Sequence, residues 1–192
     1  PTQFYAATKR SNEIMAHAYS HMFKVPVTLL RFFTVYGPWG RPDMSLYMFV
    51  KNIIENKKIN VFNHGNHSRD FTYIDDIVAG IILTLKKIPS SDKNWDPRKP
   101  NPAASSAPFK VLNIGGGKNI SLMNFIKIIE NLLKKKAKIK FINFQSGDIK
   151  DTRANINESI KYLKYKPKVN IREGIKRFIK WYVEYKKLNI NI

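Results

Sequence analysis

Tyr5 and Lys9 stand four residues apart in a segment of helical periodicity, which puts both side chains on one helix face within reach of a common ligand. A free phenol has a pKa of ~10 and is a poor base near neutrality. An ammonium beside it stabilises the phenolate and suits the tyrosine to take a proton from a hydroxyl. The same spacing also describes a packed aromatic and a solvated charge, and the pair alone does not separate the two. Gly115, Gly116 and Gly117 follow an apparent strand but lack the G-x-G-x-x-G spacing of a phosphate loop, so they read as a turn. His17, His21, His64 and His67 show no convergent pattern with carboxylates, so no metal site is expected. Without cysteine the chain has no thiolate nucleophile and no disulfide framework, which fits a cytoplasmic enzyme.

The elements that must position these residues are those of a folded chain. Its 192 residues are 43% hydrophobic and 12% aromatic, enough to bury a core. The net charge of +20 is mostly Lys, spread along the chain. Lys134, Lys135, Lys136, Lys138 and Lys140 form a local run at an apparent helix end, where cations complement the dipole. This reads as a solvated basic surface that attracts an anionic small molecule rather than nucleic acid. No apolar stretch approaches the ~20 residues that span a bilayer, and no membrane partner is expected.

Ile14, Met15, Ala18, Tyr19 and Met22 recur at helical spacing, predicting a helix over 5–23 that Pro26 closes. Val27–Phe33 is an apolar, β-branched run of the kind buried in a parallel sheet. A Gly- and Pro-rich loop leads to a helix over about 44–55, a strand around Asn60–Phe62, a strand entering Arg69–Asp76, and a helix over about 75–87. Residues 89–108, dense in Pro, Ser, Asn and Ala, read as a surface excursion. Strand (111–114), helix (121–133), strand (139–144) and two helices near Glu158 and Glu173 close the chain. This alternation predicts an α/β fold.

The stretch PTQFYAATK (Pro1–Lys9) resembles the active-site segment of extended short-chain dehydrogenase/reductases, the NAD-dependent epimerase/dehydratase family, in which Pro precedes the Tyr by four and Lys follows it by four. The resemblance continues in order through LRFFTVYGPWGRPDM (Leu30–Met44), RDFTYIDDI (Arg69–Ile77), VLNIGGG (Val111–Gly117) and FIKWY (Phe178–Tyr182). The second stretch looks most like the UDP-glucuronate 4-epimerases within that family.

This resemblance implies a Rossmann-type enzyme with a smaller substrate-binding domain, NAD as cofactor and a UDP-sugar as substrate, epimerised at C4 through a 4-keto sugar. Tyr5 would be the acid/base, and Lys9 would hold the nicotinamide ribose while tuning Tyr5. Phe33 would lie beside the nicotinamide. Thr34 would face the hexose where many relatives that act on neutral sugars carry Asn, and Arg41 would flank the substrate. Arg69 would pair with the diphosphate, Asn60, Val61 and Phe62 would border the uracil, and Asp148 would accept hydrogen bonds from the uridine ribose. Each has a plainer alternative: Phe33 and Phe62 as core aromatics, Thr34 as a β-branched strand residue, Arg69 as half of a surface ion pair with Asp70.

An enzyme of this class needs a Gly-rich turn between a first strand and helix, with an acidic residue further on. Neither precedes Tyr5. The chain is therefore expected to be a C-terminal part, inactive alone, and the resemblance implies a homodimer when intact. Residues 1–42 would end the NAD-binding domain, and 43–192 would be mainly the sugar-nucleotide domain with some segments returning to the first. Three rivals remain open. UDP-glucuronate decarboxylases and UDP-glucose 4-epimerases share the Tyr–Lys pair and differ around Thr34 and Arg41. A non-catalytic remnant and a polyanion-binding protein are the others.

Overall fold

A computed structural model describes residues 3–145 and 147–190; Pro1 of the first motif lies outside them. The described chain is α/β, with helices alternating with short strands, as the periodicity predicts. It divides into two compact units: residues 1–32, 78–114 and 155–166 in the first, and 33–77, 115–154 and 167–192 in the second. Among the described residues no helix is long and apolar enough to cross a membrane.

In the first unit, helix α1 (Phe4–Phe23) ends on Lys24 in the left-handed conformation, two residues before Pro26. Strand β1 (Val27–Phe32) pairs in parallel with β6 (Phe109–Ile114). Val27 and Leu29 pack on a small core of Ala107, Phe109 and Val111. The burial expected of β1 is only partial: Val27–Leu30 are half-buried and Phe32 is exposed, because among the described residues β1 pairs with β6 alone. α1 is tied down by polar contacts. Ser20 Oγ donates to the Pro108 carbonyl at 3.2 Å, His17 bonds Ser105 at 2.7 Å, and Glu13 accepts two bonds from Arg31. Its apolar residues Ile14, Met15, Tyr19 and Met22, which a sequence reading assigns to a packed face, are exposed. Helix α5 (Asn157–Leu163) completes this unit, its Ser159 donating to the Asn113 carbonyl at 2.6 Å.

The second unit starts at Phe33, where the expected run breaks. Strand β2 (Thr34–Tyr36) leaves the line of β1 and pairs in parallel with β5 (Phe71–Tyr73). Strand β3 (Lys58–Phe62) pairs in parallel with β8 (Lys138–Ile142), and β4 (Ser68–Arg69) runs antiparallel to β7 (Ile120–Ser121). Helices α2 (Ser45–Ile54), α4 (Leu122–Leu133) and α6 (Ile171–Tyr185) cover these strands with one apolar core that includes Val50, Ile53, Phe125, Ile126, Ile175 and Phe178. Stacking of Phe71 on Phe125, with centroids 4.2 Å apart, joins β5 to α4. Side-chain caps fix two helix starts: Ser121 accepts from Asn124 N, and Asn170 accepts from Glu173 N. Residues 74–77 begin helix α3 (Ile74–Leu85), whose remainder belongs to the first unit, and the buried Asp76 accepts from the backbone N–H of Lys168 and Val169 at 2.9 and 3.0 Å.

Candidate functional site

The segment Arg69–Asp70–Phe71 organises the second unit through the alternation of a strand. Arg69 points outward and Asp70 inward, where its carboxylate is fully buried. Asp70 accepts from Gly116 N at 2.7 Å, from Ala154 N at 3.0 Å and from the Thr72 hydroxyl at 3.3 Å. One carboxylate thus ties β5 to the glycine turn and to the segment that carries Asp148. The glycines are required by this approach: a Cβ on Gly116 would meet Asp70 Oδ1 at 3.0 Å, and one on Gly115 would meet Ala154 at 2.5 Å and Phe33 at 3.3 Å. The run is a turn, and Asp70 occupies the N–H of Gly116 that an anionic ligand would otherwise meet.

Residues 148–152 run beside β4. Ser68 N donates to the Lys150 carbonyl, and Thr152 N to the Ser68 carbonyl. Arg69 is held between these strands. Its Nη1 donates to the carbonyls of Ser68 (3.0 Å) and Lys150 (2.9 Å), and its Nη2 to Asp148 Oδ1 (2.9 Å). Arg69 is therefore paired, but its partner is Asp148 rather than the adjacent Asp70. Asp148 Oδ1 also accepts from Ile149 N at 2.7 Å. The side chain of Arg69 keeps 24% of its surface exposed, so the pair is partly desolvated.

Arg69 and Asp148 line a cavity of about 280 Å³ together with Thr34, Asn60, Phe62 and His67. Met44, Met48 and Leu122 add apolar wall. β3 supplies Asn60 and Phe62 from one face, while Ile59 and Val61 turn the other way and are fully buried in the core. Thr34 is fixed by its own N–H, which donates to the Asp70 carbonyl at 3.0 Å. A shaped, partly apolar cavity with one oriented guanidinium, one carboxylate and small polar groups suits a ligand with an anionic centre, a flat ring and hydroxyls.

The other expected site residues lie elsewhere. Tyr5 is 70% exposed on α1 in the first unit, and the Lys9 ammonium lies 5.4 Å from its ring centroid, as the four-residue spacing predicts. Phe33 packs near Gly115 and does not line the cavity. Arg41 is exposed and pairs with Asp43, Nε to Oδ1 at 3.0 Å, and it too is outside the cavity lining. Sequence reasoning missed three contributors: Asp70 as organiser, the Met44 and Met48 wall, and His67. The in–out alternation after Arg69 is the signal for the first; the other two carry none, since their placement depends on contacts distant in sequence.

The pattern of the NAD dependent epimerase/dehydratase family matches residues 1–96. Protein CapI of Staphylococcus aureus is 49% identical over 187 residues, covering 97% of this chain and 56% of that protein. A UDP-glucuronate 4-epimerase of Thermodesulfobacterium geofontis is 41% identical over 182 residues, covering 94% and 50%. The crystal structure of UDP-glucuronic acid 4-epimerase from Bacillus cereus, in complex with UDP-glucuronic acid and NAD, superposes with a TM-score of 0.82 at 32% identity, covering 96% of this chain and 54% of that one. The chain thus spans about half the length of the curated relatives it matches. With the family pattern spanning half of its residues and the fold shared over 96% of its length with a solved relative, the chain belongs to the NAD dependent epimerase/dehydratase family.

Proposed function

We propose that the protein to which this chain belongs interconverts UDP-glucuronate and UDP-galacturonate by epimerisation at C4, with the sugar nucleotide held in the cavity at Arg69. The observation that carries this reading is the convergence of Arg69 and Asp148, 79 residues apart, into one ion pair on a cavity that Thr34, Asn60 and Phe62 also line. Relatives at 41% and 32% identity named for this activity support it.

Arg69 would meet the diphosphate, because its planar, permanently charged donors match phosphate oxygens. Asp148 would take the ribose hydroxyls, and Asn60 and Phe62 the uracil edge and face. Val61 contributes from the core by holding the alternation of β3. Thr34 would offer its hydroxyl to the C6 carboxylate of the sugar, since an anion enclosed without donors is costly. Arg41 would order the loop behind it through Asp43.

Tyr5 would exchange a proton with the C4 hydroxyl, assisted by Lys9. Bound NAD would supply a reversible hydride acceptor for C4. The residues present fit one end of that cofactor: the phenol and ammonium of Tyr5 and Lys9 are exposed on one helix face, where a ribose can reach both, and Phe33 would border the nicotinamide. They do not offer a pyrophosphate cradle in the glycine turn, since Asp70 fills it. We assign the first unit to the dinucleotide-binding side and the second to the sugar-nucleotide side. A homodimer through α1 would cover the exposed Ile14, Met15, Tyr19 and Met22.

Incubating the protein that carries this chain with UDP-glucuronate and NAD tests the reading, with the products resolved by chromatography. UDP-galacturonate is expected. Carbon dioxide with a UDP-pentose, or equal use of UDP-glucose, would transfer the chain to a different reaction within the family.

A further inference from the structure

His67 is a polar group that the structure buries and, among the described residues, leaves without a hydrogen-bond partner at either ring nitrogen. Its side chain is 5% exposed. The ring is stacked on Phe144, with centroids 5.8 Å apart and planes 11° from parallel, so it is held in place. It lines the same cavity as Arg69 and Asp148. Its Nε2 faces Asp148 Oδ2 at 3.8 Å, too far for a hydrogen bond, while Oδ1 of that carboxylate is already bonded to Arg69 and to Ile149 N.

A buried imidazole without a partner is destabilising, and replacing it by an apolar side chain of similar size would remove that cost. Such a group beside a ligand cavity calls for an explanation, and a partner gained when the site fills is one. The nearest candidate is the free-facing oxygen of Asp148, which needs to approach by less than an ångström. We propose that His67 is a positioning residue of the nucleotide site: when ligand fills the cavity, Asp148 closes on His67, and an Nε2–H donates to Oδ2 and locks the carboxylate against the ligand. This inference rests on the cavity being a nucleotide site.

The backbone is suited to such a closure. His67 is fixed through its carbonyl, which accepts from Leu122 N, while Asp148 follows Gly147, whose φ of +82° marks a tight turn in the segment that would move. Arg69, on the same segment as His67, is the charged group bonded to Asp148. Arg69 keeps hold of Oδ1 throughout, so the closure tightens the carboxylate between two donors rather than exchanging one for the other.

The test is calorimetric titration of the 192-residue chain with UDP, comparing the unmutated protein with His67→Leu, His67→Gln and each of these combined with Asp148→Asn. His67→Leu is expected to raise the thermal midpoint of the free chain while weakening UDP about tenfold, the scale of a lost bond to a charged group. A merely structural histidine would move both in the same direction. His67→Gln, whose amide nitrogen can stand near the Nε2 position, is expected to recover most of the affinity. In the Asp148→Asn background the His67 variants should differ by less than about twofold, since the partner charge is gone. Unchanged UDP affinity in His67→Leu, equal loss in Leu and Gln, or the same loss without the Asp148 carboxylate would overturn the inference and leave the nucleotide site standing. If the unmutated chain binds no UDP, the site assignment fails and this inference fails with it. Should a variant fold poorly, the ¹⁵N resonances of the His67 ring in the unmutated chain decide the matter: they shift on saturation with UDP if the bond forms and stay put if it does not.

Discussion

The cavity at Arg69 and the helix face at Tyr5 are built in opposite ways. Around Arg69 several polar groups place one another: Asp70 is buried against two backbone N–H groups, Arg69 is held by two carbonyls and a carboxylate, and the Thr34 N–H donates to the Asp70 carbonyl. Around Tyr5 there is Lys9 at 5.4 Å and a largely exposed ring. The first unit presents two chemically competent side chains on a helix face and little that would fix a substrate against them. On the proposed reading, the geometry for binding is set more fully by the described residues than the geometry for reaction.

Substitutions on the two sides should separate accordingly. Tyr5→Phe removes one hydroxyl from an exposed ring. In the protein that carries this chain, turnover should fall by about 10²- to 10⁴-fold, the range for lost acid/base catalysis, with UDP affinity and thermal stability nearly unchanged. Turnover near the unmutated rate would remove Tyr5 from the chemistry. Asp70→Ala should do the opposite. It strands the N–H groups of Gly116 and Ala154 in the interior, at roughly 1–3 kcal/mol each, so denaturant unfolding should show a loss of about 3 kcal/mol and UDP binding should fail with it. A stable Asp70→Ala chain that still binds UDP would mean that the carboxylate does not organise the site.

Arg69→Ala leaves Asp148 without its main donor and the cavity without its guanidinium. UDP affinity should drop roughly tenfold to a hundredfold, with a smaller change in stability, because the pair is partly exposed. The smallest effect belongs to Thr34→Val, which exchanges a hydroxyl for a methyl at nearly constant shape and keeps the β-branch that suits β2. The ratio of kcat/KM for UDP-glucuronate over UDP-glucose should fall by roughly threefold to tenfold. An unchanged ratio would leave Thr34 as a strand residue only.

Much of this was legible in the residues. While α6 is predicted near Glu173 without its bounds, the helical periods of α2 and α4 and the strand composition of β3, β5 and β6 predict those elements to within a few positions. So does the RDFTYIDDI stretch, where strand alternation runs directly into a helix. The break at Phe33 was not legible: Val27–Phe33 reads as one mainly apolar strand despite Arg31, whereas β1 ends at Phe32 and β2 starts at Thr34, which pairs with Phe71. The inward turn of Val61 was readable from the alternation Ile59, Asn60, Val61, Phe62, although the resemblance groups the last three together. Pairing of Arg69 with Asp148 was not, because it links residues 79 apart through a backbone that must first fold. The exposure of α1's apolar face runs against its sequence, since helical spacing identifies an amphipathic face without saying what covers it.

The most direct test is to titrate the 192-residue chain separately with UDP and with NAD by calorimetry. The second unit carries its own cavity, and the only glycine turn among the described residues that resembles a phosphate loop is filled by Asp70. UDP should therefore bind measurably and NAD should not. Micromolar binding of NAD together with no binding of UDP would contradict this account at its centre.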